Sequence, residues 1–151
     1  MQVTARVNYA VRALLELAAQ PDDRVTCDDL ASAQSIPPRY LEQVLAQLKA
    51  SGLVLGYRGS AGGYRLGRPA SAITVAEVSR AVDGPLALVQ GERPENVAYT
   101  GNSEHLHELW IGLRAALRAV LESVTIADVL NGNLPDSVRR LIDAPGSWLP
   151  R

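Results

Sequence analysis

Three groups of side chains in this sequence are of types that do chemistry. Arg39, Glu42 and Gln43 follow Pro37-Pro38, spaced to share the side of a helix facing away from Leu41, Val44, Leu45 and Leu48. Such groups suit the edges of bases: a guanidinium bonds guanine O6 and N7, a carboxamide bonds adenine, and a carboxylate accepts from cytosine N4. The second group is Arg58-Gly59-Ser60-Ala61-Gly62-Gly63-Tyr64-Arg65. Its glycines let a backbone turn come close to a phosphate chain. Arg58 stands at the tip, where a narrow minor groove concentrates negative potential. The third is the only thiol and the two imidazoles, Cys27, His105 and His107, the candidates for redox or metal chemistry.

Each group has a plainer reading. The glycines can make a loose turn and nothing more. Cys27 can be a small residue packed at a helix start. His105 and His107 are two apart, so on a helix they point to different sides, as surface histidines do. Tyr99 and Trp110 could line a small-molecule pocket, but Trp110 also fits core or dimer packing. Catalysis finds little support. No nucleophile elbow, no H-E-x-x-H and no paired carboxylates on a shared face occur. No phosphate-cradling G-x-x-x-x-G-K-S/T or G-x-G-x-x-G follows a strand. The expectation is a binding protein, not an enzyme, with no catalytic residues, no metal and no cofactor.

The elements that must position these residues are legible in the hydrophobic pattern. A first helix spans residues 4–20, with Thr4 as its cap and Pro21 after its end. Thr26 caps a short second helix through Gln34. A third runs over 38–51 to Gly52, with Pro38 at its start. Strand signals at 53–58 and 64–66 flank the glycine turn, so a β-hairpin follows the helices. Thr74 and Glu77 open a fourth helix, which Asp83-Gly84-Pro85 stops. Residues 91–102 lack periodicity and read as an exposed loop. A long amphipathic helix over 103–124 then carries the stripe Leu106, Leu109, Trp110, Leu113, Ala116, Leu117, Val120, Leu121 and Val124. Two short helices follow, from Thr125 and Pro135, then a loose tail on which Trp148 is a candidate to dock. The fold class is mainly α with a small β-hairpin: a winged helix-turn-helix head plus a long C-terminal dimerisation helix. The expected organisation is a DNA-binding head at 1–84, a linker or sensor loop at 85–102, dimerisation and C-terminal helices at 103–143 and a tail at 144–151.

Composition narrows the partners. With 151 residues, 47% apolar, the chain can build one core, or one small domain with an appendage. The net charge is −1, so it is not a basic coat. Residues 35–70 nonetheless hold five basic side chains against Glu42 alone, a local footprint of the kind nucleic-acid-binding segments show. One cysteine excludes an internal disulfide, and a four-cysteine zinc or all-cysteine cluster site within one chain. No apolar run approaches the roughly 18 residues of a membrane span. Arg6, Arg12 and Glu16 interrupt the first apolar pattern, which is therefore not read as a signal peptide. The expected compartment is the cytoplasm, with no membrane partner.

The segments Tyr9-Ala10-Val11-Arg12-Ala13-Leu14, Ile36-Pro37-Pro38-Arg39-Tyr40-Leu41-Glu42-Gln43, Arg58-Gly59-x-x-Gly62-Gly63-Tyr64-Arg65-Leu66 and Asp83-Gly84-Pro85-Leu86 together resemble the bacterial Rrf-two (BadM) family. These are the IscR, NsrR and CymR type transcription regulators, and the resemblance covers roughly residues 1–130. It implies a homodimer, here expected to be a repressor, on a palindromic operator in double-stranded DNA. The DNA-binding residues it implies are Thr4, Tyr9, Pro38, Arg39, Tyr40, Glu42, Gln43, Arg58, Gly59, Ser60, Gly62, Tyr64 and Arg65. The long helix would supply the dimer interface through Leu106, Leu109, Trp110, Leu113, Leu117, Val120 and Leu121.

One departure from the family pattern stands out. Its best-known members hold an iron–sulfur cluster on three cysteines between the fourth helix and the long helix. Here the loop from Val89 to Glu104 contains none, and the first helix offers only Asn8 and Arg12 where some relatives use a carboxylate or histidine. The expectation is a regulator without a conventional cluster. The alternative is one that senses a small molecule, or an unconventional metal or cluster, through residues 91–110.

Overall fold

The computed structural model describes residues 2–150. Helix α1 (Ala5–Ala19) begins where the Thr4 hydroxyl accepts from the Val7 N–H, and buries Val7, Ala10, Ala13, Leu14 and Leu17. Helix α2 (Cys27–Gln34) is capped by Thr26 in the same manner and ends at Ser35 in the left-handed region. That sharp exit lets α3 (Pro38–Ala50) start at once. With Pro37 at the N-cap and Pro38 as its first residue, α3 has no side-chain cap, and proline leaves no N–H to satisfy there. Leu41, Val44, Leu45 and Leu48 face inwards as the spacing predicts, leaving the opposite side of α3 free.

Strands β1 (Val54–Tyr57) and β2 (Gly63–Leu66) pair antiparallel in the register Val54↔Leu66, Leu55↔Arg65, Gly56↔Tyr64 and Tyr57↔Gly63. The hairpin is also sewn to the head, which its sequence does not reveal. Val25, just before α2, exchanges both backbone hydrogen bonds with Tyr64, at 2.8 and 3.0 Å. Helix α4 (Val75–Asp83) opens with a full Thr74/Glu77 capping box. Helices α1 to α4 and β1 enclose one core, in which Leu14, Leu30, Leu41, Leu45, Leu48 and Ile73 are wholly buried.

Beyond α4, residues 91–102 are an exposed loop as expected, with a 3-10 turn at Pro94–Asn96 and another, Gly101–Ser103, at its end. After it the chain departs from the periodic reading in several ways. The long helix α5 is Leu106–Leu121, shorter at both ends than the expected span 103–124. Val124 has left the helix and is buried against the head, where its carbonyl accepts from Val75 N at 2.9 Å. Helix α6 (Ile126–Leu130) packs on α1, and Ile126 joins the head's core, so this segment belongs to the head by packing. Helix α7 is Asp136–Ile142. Trp148 does not dock; it is 82% exposed. Among the described residues no helix is long and apolar enough to cross a membrane.

Candidate nucleic-acid interface

The outer face of α3 is what its inner face leaves over. Pro38, Arg39, Glu42, Gln43 and Ala46 are all exposed along it. The guanidinium of Arg39 has no hydrogen bond or ion pair among the described residues. Tyr40, one residue on, is turned partly inward and meets Tyr9 of α1 edge to face, ring centres 5.4 Å apart at 87°. Arg12 stacks over Tyr9 at 5.6 Å, and its Nε donates to Gln34 Oε1 at 2.9 Å. The Tyr9–Tyr40 pair thus holds the start of α3 against α1 and fixes the angle at which α3 is presented. Thr4 is engaged elsewhere: besides capping α1, its hydroxyl donates to Asp83 Oδ2 at 2.5 Å.

At the tip of the hairpin, Gly62 N donates to Gly59 O at 2.9 Å, closing a tight turn. A side chain on Gly62 would lie 2.7 Å from the Tyr57 carbonyl oxygen, so glycine is required there. Gly63, at φ +136°, lies so close to Val25 that an added carbon would sit 2.9 Å from its oxygen. Arg58 and Ser60 are exposed on this turn, and Arg58 has no partner among the described residues.

The other basic residues of this stretch are less free than the sequence implies. Arg65 reaches back to the Pro21 carbonyl at 2.8 Å, and Arg68 pairs with Glu77 at 2.9 Å. Of the five basic residues, Arg39, Lys49 and Arg58 have neither a hydrogen bond nor an ion pair among the described residues, and of these Arg39 and Arg58 stand on the outer face of α3 and the wing tip. Sequence reasoning also missed Arg24. Its guanidinium lies 3.9 Å from the centre of the Tyr57 ring and donates to the Ala61 carbonyl at 3.1 Å, clamping the wing from behind. Nothing in the sequence around Arg24 signals this, because Tyr57 and Ala61 are brought to it only by the fold.

Cys27, Glu42 and Tyr64 meet where α2, α3 and the wing join. Burial pushes the Cys27 thiol above its ordinary pKa, and Glu42 and Asp28 push it the same way. The thiol approaches the Pro38 carbonyl at 3.8 Å. Tyr64 is raised by burial first, then by Cys27 and Glu42, so its phenol stays a neutral donor. Cys27 is the first residue of α2, where a helix N-terminus favours a thiolate, but burial and the two carboxylates act against it.

A family model described as an iron-dependent transcriptional regulator, Rrf2, matches residues 3–132. A Mycobacterium tuberculosis protein named as an HTH-type transcriptional regulator, Rv1287, is 44% identical over 144 residues, covering 95% of this chain and 89% of its own length. The regulator IscR of Yersinia pseudotuberculosis is 36% identical over 132 residues, covering 87% and 80%. Among solved structures, CymR, the global cysteine regulator of Bacillus subtilis, superposes with a TM-score of 0.70 at 29% identity, covering 87% of this chain and 98% of its own. These relatives are transcriptional regulators, not enzymes.

The iron of that family description does not fit the donors present. Cluster iron is held mainly by thiolates, and this chain has one thiol, placed in the head at the start of α2. His105 is 80% exposed, beside Glu104 at 3.5 Å and Glu108 at 4.0 Å. No group of three or more His, Cys, Asp or Glu among the described residues is arranged to hold a metal ion. The free face of α3, the glycine wing beside it and the match along most of the chain converge: this protein belongs to the Rrf2 family of DNA-binding, winged-helix transcriptional regulators.

Proposed function

We propose that this regulator occupies a palindromic operator as a homodimer in the cytoplasm, represses transcription there, and works without a conventional iron–sulfur cluster. The observation that carries the dimer is α5. Leu106, Leu109, Trp110, Leu113, Leu117, Val120 and Leu121 line one stripe, yet no residue of the helix is buried within the chain. Leu109 is left 57% exposed. A contiguous apolar face of more than four turns marks an association surface. A two-fold pairing through it sets two copies of α3 against successive half-sites.

In this reading residues 1–84, with α6 docked on them, read the DNA. Pro38, Arg39, Tyr40, Glu42 and Gln43 enter the major groove. Arg58, Gly59, Ser60, Gly62, Tyr64 and Arg65 follow the adjacent backbone, and Thr4 and Tyr9 approach from the start of α1. Residues 85–102 connect the head to the α5 dimer element, and 144–151 form a tail. Sedimentation at micromolar concentration combined with operator footprinting tests the proposal. The expected result is a dimer that protects a two-fold symmetric site. A monomer, or a protected site without two-fold symmetry, rejects it.

A second reading, that residues 91–110 answer to a small molecule, has one observation in its favour. The indole N–H of Trp110 is buried without a hydrogen-bond partner among the described residues. It belongs to a cavity of about 390 Å³ that Ala87, Leu88, Val89 and Leu113 also line. An orphaned donor beside an apolar cavity fits a ligand carrying an acceptor.

A further inference from the structure

A cavity of about 430 Å³ opens between the end of α4, the turn Pro94–Asn96 and α5. Its walls carry four guanidiniums from three separate segments: Arg80 of α4, Arg93 before the turn, and Arg114 and Arg118 on successive turns of α5. Only two carboxylates answer them. Arg114 bonds Glu95, while Arg80 and Arg118 both donate to the same oxygen of Glu122, Arg118 at 3.1 Å. Arg93 has no hydrogen bond or ion pair among the described residues.

Four guanidiniums line the cavity against one carboxylate, Glu95; Glu122 pairs with two of them from outside its wall, and Glu92 precedes Arg93 in the chain without lining it, so the wall itself keeps an excess of positive charge. The carboxylates do not lose their charge to relieve this. Glu95 is held below the usual carboxylate range by its own backbone N–H and then by Arg114, and Glu122 by Arg80 and then Arg118. These guanidiniums thus already bond oxyanions, two of them converging on one oxygen of Glu122. The remaining wall, Gly84, Pro85 and Leu86, carries no ionisable group. It leads into a tight turn, with Val89 and Glu92 exchanging backbone hydrogen bonds and two non-glycine residues, Ala87 and Gln90, at positive φ.

We propose that this cavity is a binding site for a small dianion, a dicarboxylate or a phosphate monoester, and that this dianion is the regulator's effector. The effector role rests on the regulatory reading above; the binding itself does not. The cavity is tied to the DNA-reading head through its own wall. Gly84 follows Asp83, whose carboxylate accepts from Thr4 at the first turn of α1, and Arg6 of α1 donates to the Val82 carbonyl at 3.0 Å. A ligand that draws in Gly84 and Pro85 acts directly on the start of α1.

Calorimetry of the full-length protein at constant ionic strength, with succinate, inorganic phosphate and acetate as probes, tests the site. One dianion is expected to bind saturably in the micromolar to low millimolar range, about tenfold or more tighter than singly charged acetate. Which dianion wins identifies the class. Arg93→Gln and Arg118→Gln should each weaken binding about tenfold, because each removes a charged donor. Glu95→Gln removes a competing carboxylate and should tighten it. Opposite signs from neighbouring substitutions separate a charge effect from damage to the fold. No saturable heat with either dianion, or one affinity in all three variants, overturns the proposal. Fluorescence anisotropy on operator DNA without any dianion keeps the two readings apart: intact DNA binding with no dianion binding overturns the site alone, while dianion binding that never alters DNA affinity overturns the effector role alone.

Discussion

Arg24 lies with its guanidinium 3.9 Å from the centre of the Tyr57 ring, so a residue before α2 holds the wing that follows α3. The same guanidinium bonds the Ala61 carbonyl at the turn. An exposed cation–π contact of this kind contributes about 0.5–1 kcal/mol. Arg24→Ala should therefore leave the melting temperature nearly unchanged while loosening the wing tip. Operator affinity by anisotropy should fall a few-fold, equally on all sequences. A change in base preference instead would show that Arg24 reads DNA directly.

Arg39 and Arg58, the unpartnered arginines of α3 and the wing tip, should behave differently from each other. Arg39 shares the outer face of α3 with Glu42 and Gln43, so Arg39→Ala and Glu42→Ala should alter preference at particular base pairs by about 1–3 kcal/mol each. Arg58 stands on the wing tip, where Arg58→Ala should weaken all sequences alike and reduce the salt slope of binding by about one. Binding measured on a set of single-base operator variants decides between these outcomes. Equal losses from all three substitutions on every variant would remove Arg39 and Glu42 from base reading.

The α5 stripe is expected to fail as an interface when charged. Leu113→Asp or Leu117→Asp should yield monomers by sedimentation and abolish operator binding, since each half-site alone is weak. Both residues are only half-buried within one chain, so the head should still unfold cooperatively. A variant that remains dimeric places the interface on another surface.

Anaerobically purified protein should be colourless, with no acid-labile sulfide and with DNA affinity indifferent to iron chelators and nitric oxide. The donor set argues for this, since one thiol per chain falls short of cluster ligation. Cys27→Ser should keep full operator binding under oxidant. Absorbance between about 320 and 460 nm would overturn it and require an unusual ligand set.

Glu77 makes stability depend on pH. Its carboxyl is held below the usual range first by the Thr74 backbone N–H and then by Arg68. A carboxyl lowered in the folded state contributes stability that is present above its unfolded pKa and is lost as pH falls through the lower folded value. Glu77→Gln should therefore lower the melting temperature at neutral pH, with the gap to the parent closing below the carboxylate range. Thr74→Ala removes the other half of the capping box and should cost about 1 kcal/mol. A gap that persists unchanged at low pH would mean the loss comes from packing, not charge.

Most of the head was legible in the sequence because its signals are local. Thr4, Thr26 and Thr74 mark helix starts by a hydrogen bond that spans three residues, and Leu41, Val44, Leu45 and Leu48 reveal the buried side of α3, hence also its free side. The glycines of the wing announced the turn, since a side chain at Gly62 would collide with backbone. What stayed hidden depends on partners distant in the chain. The basic count of residues 35–70 did not show that Glu77 holds Arg68 or that Pro21 accepts from Arg65, and so did not show that Arg39 and Arg58 are left free. The pattern through Val124 predicted helix, but the head takes that residue into its own packing. Arg24 on Tyr57, Val25 beside Tyr64, and the four arginines around one cavity join segments tens of residues apart. Spacing along the chain encodes which residues share a face. Which charges meet is decided only when the core closes, because a guanidinium bonds whatever acceptor the packed backbone delivers to it.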